Sequence, residues 1–396
     1  MRLSSSIGRF AAVKIALAGM MAAMLVACGA PGAGGGGPGG ASFTGSTGAV
    51  KVALLLPVTS SGSTPAVAKA LKQAAELALF DFDNPNVSLV PKDTKGTPDG
   101  ARLAAESAIK DGAELIIGPL FAQEVAGAAP VARQAGIPMI AFSSDEKVAG
   151  NGVYLLSFQA GRDVPRIVSF AMSKGKRSFA QLVPQSPYGR VAESAFAKAV
   201  SGGGGETSVR AAFPTDDSNA MLGPVRQIAN AIKGGQKVDA LFLPAGREEL
   251  PSLAPLLASS DLTSGRVQFV GTGQWDYPNI GGEKALVGGW YPAPDPKGWS
   301  NFVQGYSKTY GSVPPRLASL AYDAVSLAVS LSQNPPGQRY DMGQLTRASG
   351  FAGIDGLFRL LPDGTCERGL AILEVREGGP VVIDPAPSSF ATASSY

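Results

Sequence analysis

From Val50 to Gly271, short apolar runs alternate with stretches of helical periodicity, and this alternation constrains the fold more than any other feature of the chain. Val50 to Leu56 reads VKVALLL, a run of the kind that forms a strand buried on both faces. Thr64 and Pro65 read as the cap and first residue of a helix in which Val67, Leu71, Ala74 and Ala78 fall on one face. The same reading predicts strands at 87–90, 114–117, 137–142 and 153–158, with helices at 99–109 and 123–134 between them and Gly136 ending the last. A second series follows, with strands at 178–183, 208–213, 238–243 and 267–271 and helices at 189–200, 220–232 and 250–257. Strands that alternate with helices imply parallel sheets flanked by helices, and two series imply two α/β lobes. Longer helices are expected at 299–310 and 317–331. Short antiparallel strands are expected at 357–361, 371–375 and 380–383, with Pro362-Asp363-Gly364 as a turn.

Composition removes several classes of function. The 396 residues include no histidine and two cysteines, Cys28 and Cys366. Triad and dyad chemistry that needs an imidazole is therefore excluded, as are a Cys-rich zinc centre and a disulfide framework. No metal or cofactor is expected, and no catalytic residue set is visible. Lys+Arg number 34 and Asp+Glu 31, a balance that gives no argument for nucleic acid.

The first 27 residues read as an address. Arg2, Arg9 and Lys14 precede an apolar and small-residue run at 15–27, too short for a bilayer span of about 20 residues and proportioned like a signal-peptide core. Leu25-Val26-Ala27-Cys28 looks like a bacterial lipobox, which implies lipidation of Cys28 and a membrane anchor, with the outer membrane favoured because Gly29 rather than Asp follows the cysteine. Cleavage there removes three basic residues, leaving 34 − 3 = 31 against 31 acidic ones. Residues 28–49 are Gly-rich and read as a tether.

Ligands of open α/β sheets bind beyond the carboxyl ends of strands. The loops that fall there carry Thr59, Ser60 and Ser61; Leu120 and Phe121; Ser143, Ser144 and Asp145; Tyr188; Gly246 and Arg247; and Trp275 and Asp276. Together they would suit a small polar ligand. Each Ser or Asp among them is equally at home capping the helix that follows.

Over nearly the whole mature length the chain resembles the type I periplasmic binding proteins of the leucine-binding class. The resemblance rests on the order of Val52-Ala53-Leu54-Leu55-Leu56-Pro57, Ile116-Ile117-Gly118-Pro119-Leu120, Gly136-Ile137-Pro138-Met139-Ile140, Pro187-Tyr188-Gly189, Ala321-Tyr322-Asp323-Ala324 and Gly353-Ile354-Asp355-Gly356. It implies an α/β fold of two lobes joined by a hinge: 50–163 with 290–365, and 164–289 with 366–386, leaving 387–396 as a disordered tail. Gly118-Pro119-Leu120-Phe121 and Ala141-Phe142-Ser143-Ser144-Asp145 look most like the penicillin-binding protein activator branch, lipoproteins that stimulate peptidoglycan synthases. The resemblance therefore implies a non-enzymatic binding protein, with that role first and solute capture for an ABC permease, amino acids by default, as the alternative. The activator role gains weight because the receptors' acid for an α-ammonium group is missing: Gln274 and Trp275 occupy its neighbourhood, with Asp276 the nearest carboxylate.

Other constellations carry less. Ser107-Ala108-Ile109-Lys110 and Ser144-Asp145-Glu146-Lys147 satisfy S-x-x-K, but the companion motifs of that chemistry are absent. Asp216-Asp217 and Glu248-Glu249 are adjacent in sequence and read as a turn and a helix start rather than a glycosidase pair. Trp275, Trp290, Tyr291 and Trp299 read as core packing, with an exposed partner patch as the alternative, and Cys366 reads as a free thiol.

Overall fold

The computed structural model describes residues 48–83 and 85–390. The signal, the lipidation site Cys28 and nearly all of the tether lie outside the described residues. The chain begins with β1 (Val50–Leu56), α1 (Thr64–Phe80), β2 (Val87–Asp93), α2 (Pro98–Lys110), β3 (Leu115–Ile117), α3 (Ala122–Gln134), β4 (Met139–Ala141) and β5 (Val153–Leu155). These five strands form one parallel sheet in the order β2-β1-β3-β4-β5.

The period of two in β1 explains how that sheet is covered. Val52, Leu54 and Leu56 point into one core, which also holds Leu71 and Ala74 of α1 and residues of three later helices. Ala53 and Leu55 point the other way, against Ala101, Ala105 and Ala108 of α2 and Val125 and Ala129 of α3. Burial on both sides is why the run carries almost no polar residue. Each such Leu contributes roughly 1.5–3 kcal/mol relative to exposure. At the end of β3, Gly118 has φ +89°, and a side chain there would run into the Leu55 carbonyl, so the turn into α3 requires glycine.

The second lobe opens with α4 (Val164–Ser173), β6 (Ser178–Pro184), α5 (Pro187–Gly202), β7 (Glu206–Phe213), α6 (Leu222–Lys233), β8 (Ala240–Phe242), α7 (Leu250–Ser259), β9 (Gln268–Val270) and β10 (Trp290–Ala293). The chain then returns to the first lobe through α8 (Pro296–Tyr310), α9 (Ala318–Leu331), α10 (Met342–Leu345), β11 (Phe351–Gly353), β12 (Gly356–Leu360) and β13 (Cys366–Arg368), and ends with β14 (Ala371–Glu374) and β15 (Val381–Asp384). The larger sheet has the order β15-β14-β10-β9-β8-β6-β7. Its two faces carry separate cores, Ala180, Leu182 and Phe269 with α6 and α7 on one side, and Phe179 and Phe242 with α4 and α5 on the other, where Phe196 stacks on Phe242 at 4.1 Å. The result is the two-lobed α/β fold that the sequence implies.

Several particulars differ from the sequence reading. Helix α4 was not expected, although Val164, Ile167, Val168 and Ala171 give it a buried face and Pro165 its start. Strand β10 lies inside the second sheet, paired with β9 and β14, so the chain crosses back after Ala293 and not at 290. Strand β13 pairs with β12 in a separate three-stranded sheet, so the last crossing comes after Arg368 and not at 366. Phe390, placed in a disordered tail by sequence, is 1% exposed, and the Arg359 guanidinium lies 4.6 Å from its ring.

Candidate ligand-binding cleft

Three crossings join the lobes, after β5, after β10 and after β13, and all three contribute to one cavity of about 430 Å³. The first supplies Ser157, Phe158, Gln159, Arg162 and Asp163, the second Pro292 to Pro294, and the third Cys366, Arg368 and Leu370. Ser144 enters from the loop after β4, Tyr188 from the start of α5, Gly273, Gln274 and Asp276 from the loop after β9, and Arg316 from the segment before α9. These are ends of strands and starts of helices, as the topology requires.

Of the sequence candidates, the structure brings Ser144, Tyr188 and Asp276 to this cavity wall. The others lie elsewhere, for reasons that their contacts make plain. The Thr59 hydroxyl donates to Asp93 at 2.5 Å and Ser60 to the Pro57 carbonyl at 2.9 Å, closing the turn after β1 that Ser61 extends. Leu120 packs on the first core, and the Phe121 amide donates to Glu124 at the start of α3. The Ser143 hydroxyl accepts from the Asp145 amide at 3.1 Å, and Asp145 in turn accepts from the Lys147 amide. The Gly246 amide donates to Glu249 at 2.8 Å, and Arg247 beside it is exposed. Trp275 is fully buried, and its indole N–H donates to the Leu243 carbonyl at 3.1 Å.

The Trp275 ring explains why the neighbouring loop is so well placed. It lies flat against Gly271, where any side chain would collide with it. Thr272, also fully buried, meets the Tyr188 hydroxyl at 2.7 Å. The Gly273 amide donates to the Asp163 carboxylate at 2.5 Å, tying this loop to the first crossing. Asp276 then faces the cavity with Arg316 3.9 Å away. Burial raises the carboxyls of both Asp163 and Asp276; hydrogen bonds from the Gly273 and Val164 amides oppose this at Asp163, and the Arg316 charge opposes it at Asp276. Burial likewise raises the Tyr188 phenol and holds the Cys366 thiol up at about 11, which keeps it an inert thiol at neutral pH.

Two cavity arginines lead from the wall to a polar cluster built on the fully buried Ser319, Asp323 and Asp355. Arg316 pairs with Asp355 at 2.6 Å, and the Ser319 hydroxyl donates to the same carboxylate at 2.6 Å. Asp323 accepts from the Ile354 amide at 2.7 Å, and Arg368 approaches it at 4.0 Å. The sequence reading missed Arg162, Asp163, Arg316 and Arg368 as cavity residues. Arg162 and Asp163 lie just before helix α4, Arg316 lies in the connection before α9, and Arg368 ends the three-residue strand β13, which is too short for a period to show.

Among the described residues no group of His, Cys, Asp and Glu is arranged to hold a metal ion, and no helix is long and apolar enough to cross a membrane.

Two lobes on parallel sheets with a cavity at their crossings define a type I periplasmic binding protein. Residues 49–380 match the family model described as periplasmic binding protein, and the chain belongs to that family. It is 26% identical over 193 residues to the Leu/Ile/Val-binding protein homolog 6 of Brucella melitensis, a match that spans 46% of this chain and 47% of that protein. The chain thus spans about half the length of that relative. Among solved structures it resembles a putative branched-chain amino acid ABC transporter protein from Rhodospirillum rubrum, with a TM-score of 0.74 at 20% identity over 85% of this chain and all of the other. It also resembles the leucine binding protein LivK of Thermotoga maritima, with a TM-score of 0.53 at 20% identity over 85% of this chain and 99% of that one. A Rhodopseudomonas palustris solute binding protein in complex with benzoate gives a TM-score of 0.55 at 20% identity, over 86% of this chain and 98% of that one. These structures share the fold.

Proposed function

We propose that the protein is a solute-binding component of an ABC importer that closes its lobes around a small polar molecule without transforming it. The observation that carries this reading is the cavity of about 430 Å³, within the range of small-molecule sites, walled by both lobes and by every crossing between them. A ligand that touches both lobes stabilises the closed arrangement by its differential affinity, and an ABC permease would recognise that arrangement. Ser144, Tyr188 and Asp276 are the ligand contacts we carry forward from the sequence, with Asp163 added. Amino acids of the Leu/Ile/Val type are the default class, after the names of the relatives. Asp276 and Asp163 on the cavity wall offer carboxyl groups to an ammonium group, which supports amino acids as the class. The family implies a periplasmic location, and an anchor at Cys28 would tether the lobes to a membrane.

Regulation of a peptidoglycan synthase is the second reading. The Gly118-Pro119-Leu120-Phe121 and Ala141-Phe142-Ser143-Ser144-Asp145 sequences favour it, while the lipobox fits both readings. Thermal unfolding of the purified protein with L-leucine, L-isoleucine, L-valine and benzoate separates the two. Solute capture predicts a saturable rise in Tm with at least one of these. A flat response to all four, together with retention of a penicillin-binding protein on the immobilised lobes, would favour the second reading instead.

A further inference from the structure

The segment after β15 leaves the second lobe and ends seated in the first. Asp384, the last residue of β15, is fastened to the second lobe by its pair with Arg166 of α4, whose Nε also donates to the Leu370 carbonyl at 2.9 Å. Ala386 packs on the core that α6 and α7 cover. Pro387 then lies on the last crossing, where a side-chain carbon on Gly369 would stand 3.1 Å from its ring. Phe390 is buried against the three-stranded sheet of the first lobe. The Arg359 guanidinium of β12 covers its ring, and a side chain on Gly350 would stand 2.9 Å from it.

The segment runs on the side of the crossing that faces away from the cavity. Cys366, Arg368 and Leu370 line the cavity, and side chains of extended chain alternate. Glu367 and Gly369 therefore point the other way, and their neighbours agree: Glu367 accepts from Arg359 at 2.7 Å, and Gly369 meets Pro387. Closure turns the lobes toward the cavity side of the crossings. It must lengthen a path that spans them on the opposite side. Asp384 and Phe390 are six residues apart, a span of about 20 Å at full extension. Pro385 and Pro387 fix φ at two places, so the segment has few conformations with which to take up a change in span.

We infer that residues 385–390 are a strap behind the hinge, anchored by Phe390, that holds the solute-free lobes apart and opposes their closure. This inference rests on the solute-capture reading for what closure is for, but the strap acts on the lobes whether or not a solute is present. It sets affinity from outside the cavity, because a protein that is seldom in its closed arrangement binds more weakly by that fraction.

The test slackens the strap without unseating it. A short Gly/Ser stretch inserted between Pro387 and Ser388 lengthens the path and leaves the Phe390 seat in place. Small-angle X-ray scattering of the solute-free wild type and insertion variant compares their radii of gyration, and titration with L-leucine and benzoate compares their affinities. The variant is expected to show the smaller radius and to bind about 3- to 10-fold more tightly, since more of it is already closed. Phe390→Ala, which removes the anchor, is expected to move both readings the same way while lowering Tm. A packing role alone predicts a lower Tm for Phe390→Ala and an insertion variant identical to wild type. A radius that is unchanged or larger in the insertion variant, or an affinity that does not rise for a solute that binds, overturns the inference and leaves solute capture standing. If neither compound binds, solute capture loses its support, and the solute-free radii still decide the strap. The insertion variant is decisive even if Phe390→Ala fails to fold.

Discussion

Replacement of Trp275 by alanine is expected to lower stability by about 3–5 kcal/mol, the usual cost of removing a fully buried aromatic side chain. The ring fills the space over Gly271, lies 6.1 Å from the Tyr291 ring and gives its N–H to Leu243. Truncation would leave a cavity and orphan the Leu243 carbonyl. The same change should weaken solute binding, because Trp275 holds the loop in which Thr272 meets Tyr188, Gly273 meets Asp163 and Asp276 faces the cavity. Denaturant unfolding measures the first effect and titration with a bound solute the second. A loss below about 1 kcal/mol would mean that the ring is not packed as described.

Asp323→Asn is expected to make the protein more stable at pH 8 and to leave it unchanged near pH 4. Asp323 is fully buried, and burial pushes its carboxyl up to about 7 against the pull of Arg368. An unfolded aspartate titrates near 3.9. Between about 4 and 7 the native state therefore binds a proton that the unfolded chain has released, so stability falls as pH rises through that window. The fall from this one group is on the order of a few kcal/mol. Asparagine keeps an acceptor for the Ile354 amide and cannot ionise, so the variant loses this part of the slope. Denaturant unfolding at pH 4.5, 6 and 8 checks it. Parallel slopes for the two proteins would show that Asp323 is ionised in the native state throughout.

The sequence made the sheets legible because a strand covered on both faces must be apolar throughout, as Val52 to Leu56 are, and because helices announce their starts, as Pro65, Pro98 and Pro187 do. The connections between lobes were not legible. Strand β10 carries Pro292 within a stretch rich in glycine and aromatics, and β13 is three residues long. The sequence reading predicts neither strand, and the lobe boundaries that the resemblance implies at 290 and 366 fall at the starts of the two strands, whereas pairing places the crossings after them. The site suffered for the same reason. Ser144, Tyr188 and Asp276 could be found because they follow strands that periodicity locates. Arg316 reaches the cavity from the segment before α9 and Arg368 from the end of β13 at the last crossing, where only tertiary structure brings residues distant in sequence together. The motifs that carried the family resemblance, Ala321-Tyr322-Asp323-Ala324 and Gly353-Ile354-Asp355-Gly356, hold the two buried acids of the polar cluster that the cavity arginines reach. Thr59, Ser60 and Ser143 follow strands in the same way, but local turn and cap bonds account for all three hydroxyls.

Small-angle X-ray scattering of the folded lobes with and without a saturating solute, chosen from those that raise Tm, bears most directly on the central claim. Closure of two lobes around the solute predicts a smaller radius of gyration in its presence, with the change abolished when the Tyr188 and Asp276 contacts are removed together. A scattering profile that stays the same while the solute is bound would contradict a hinged capture mechanism.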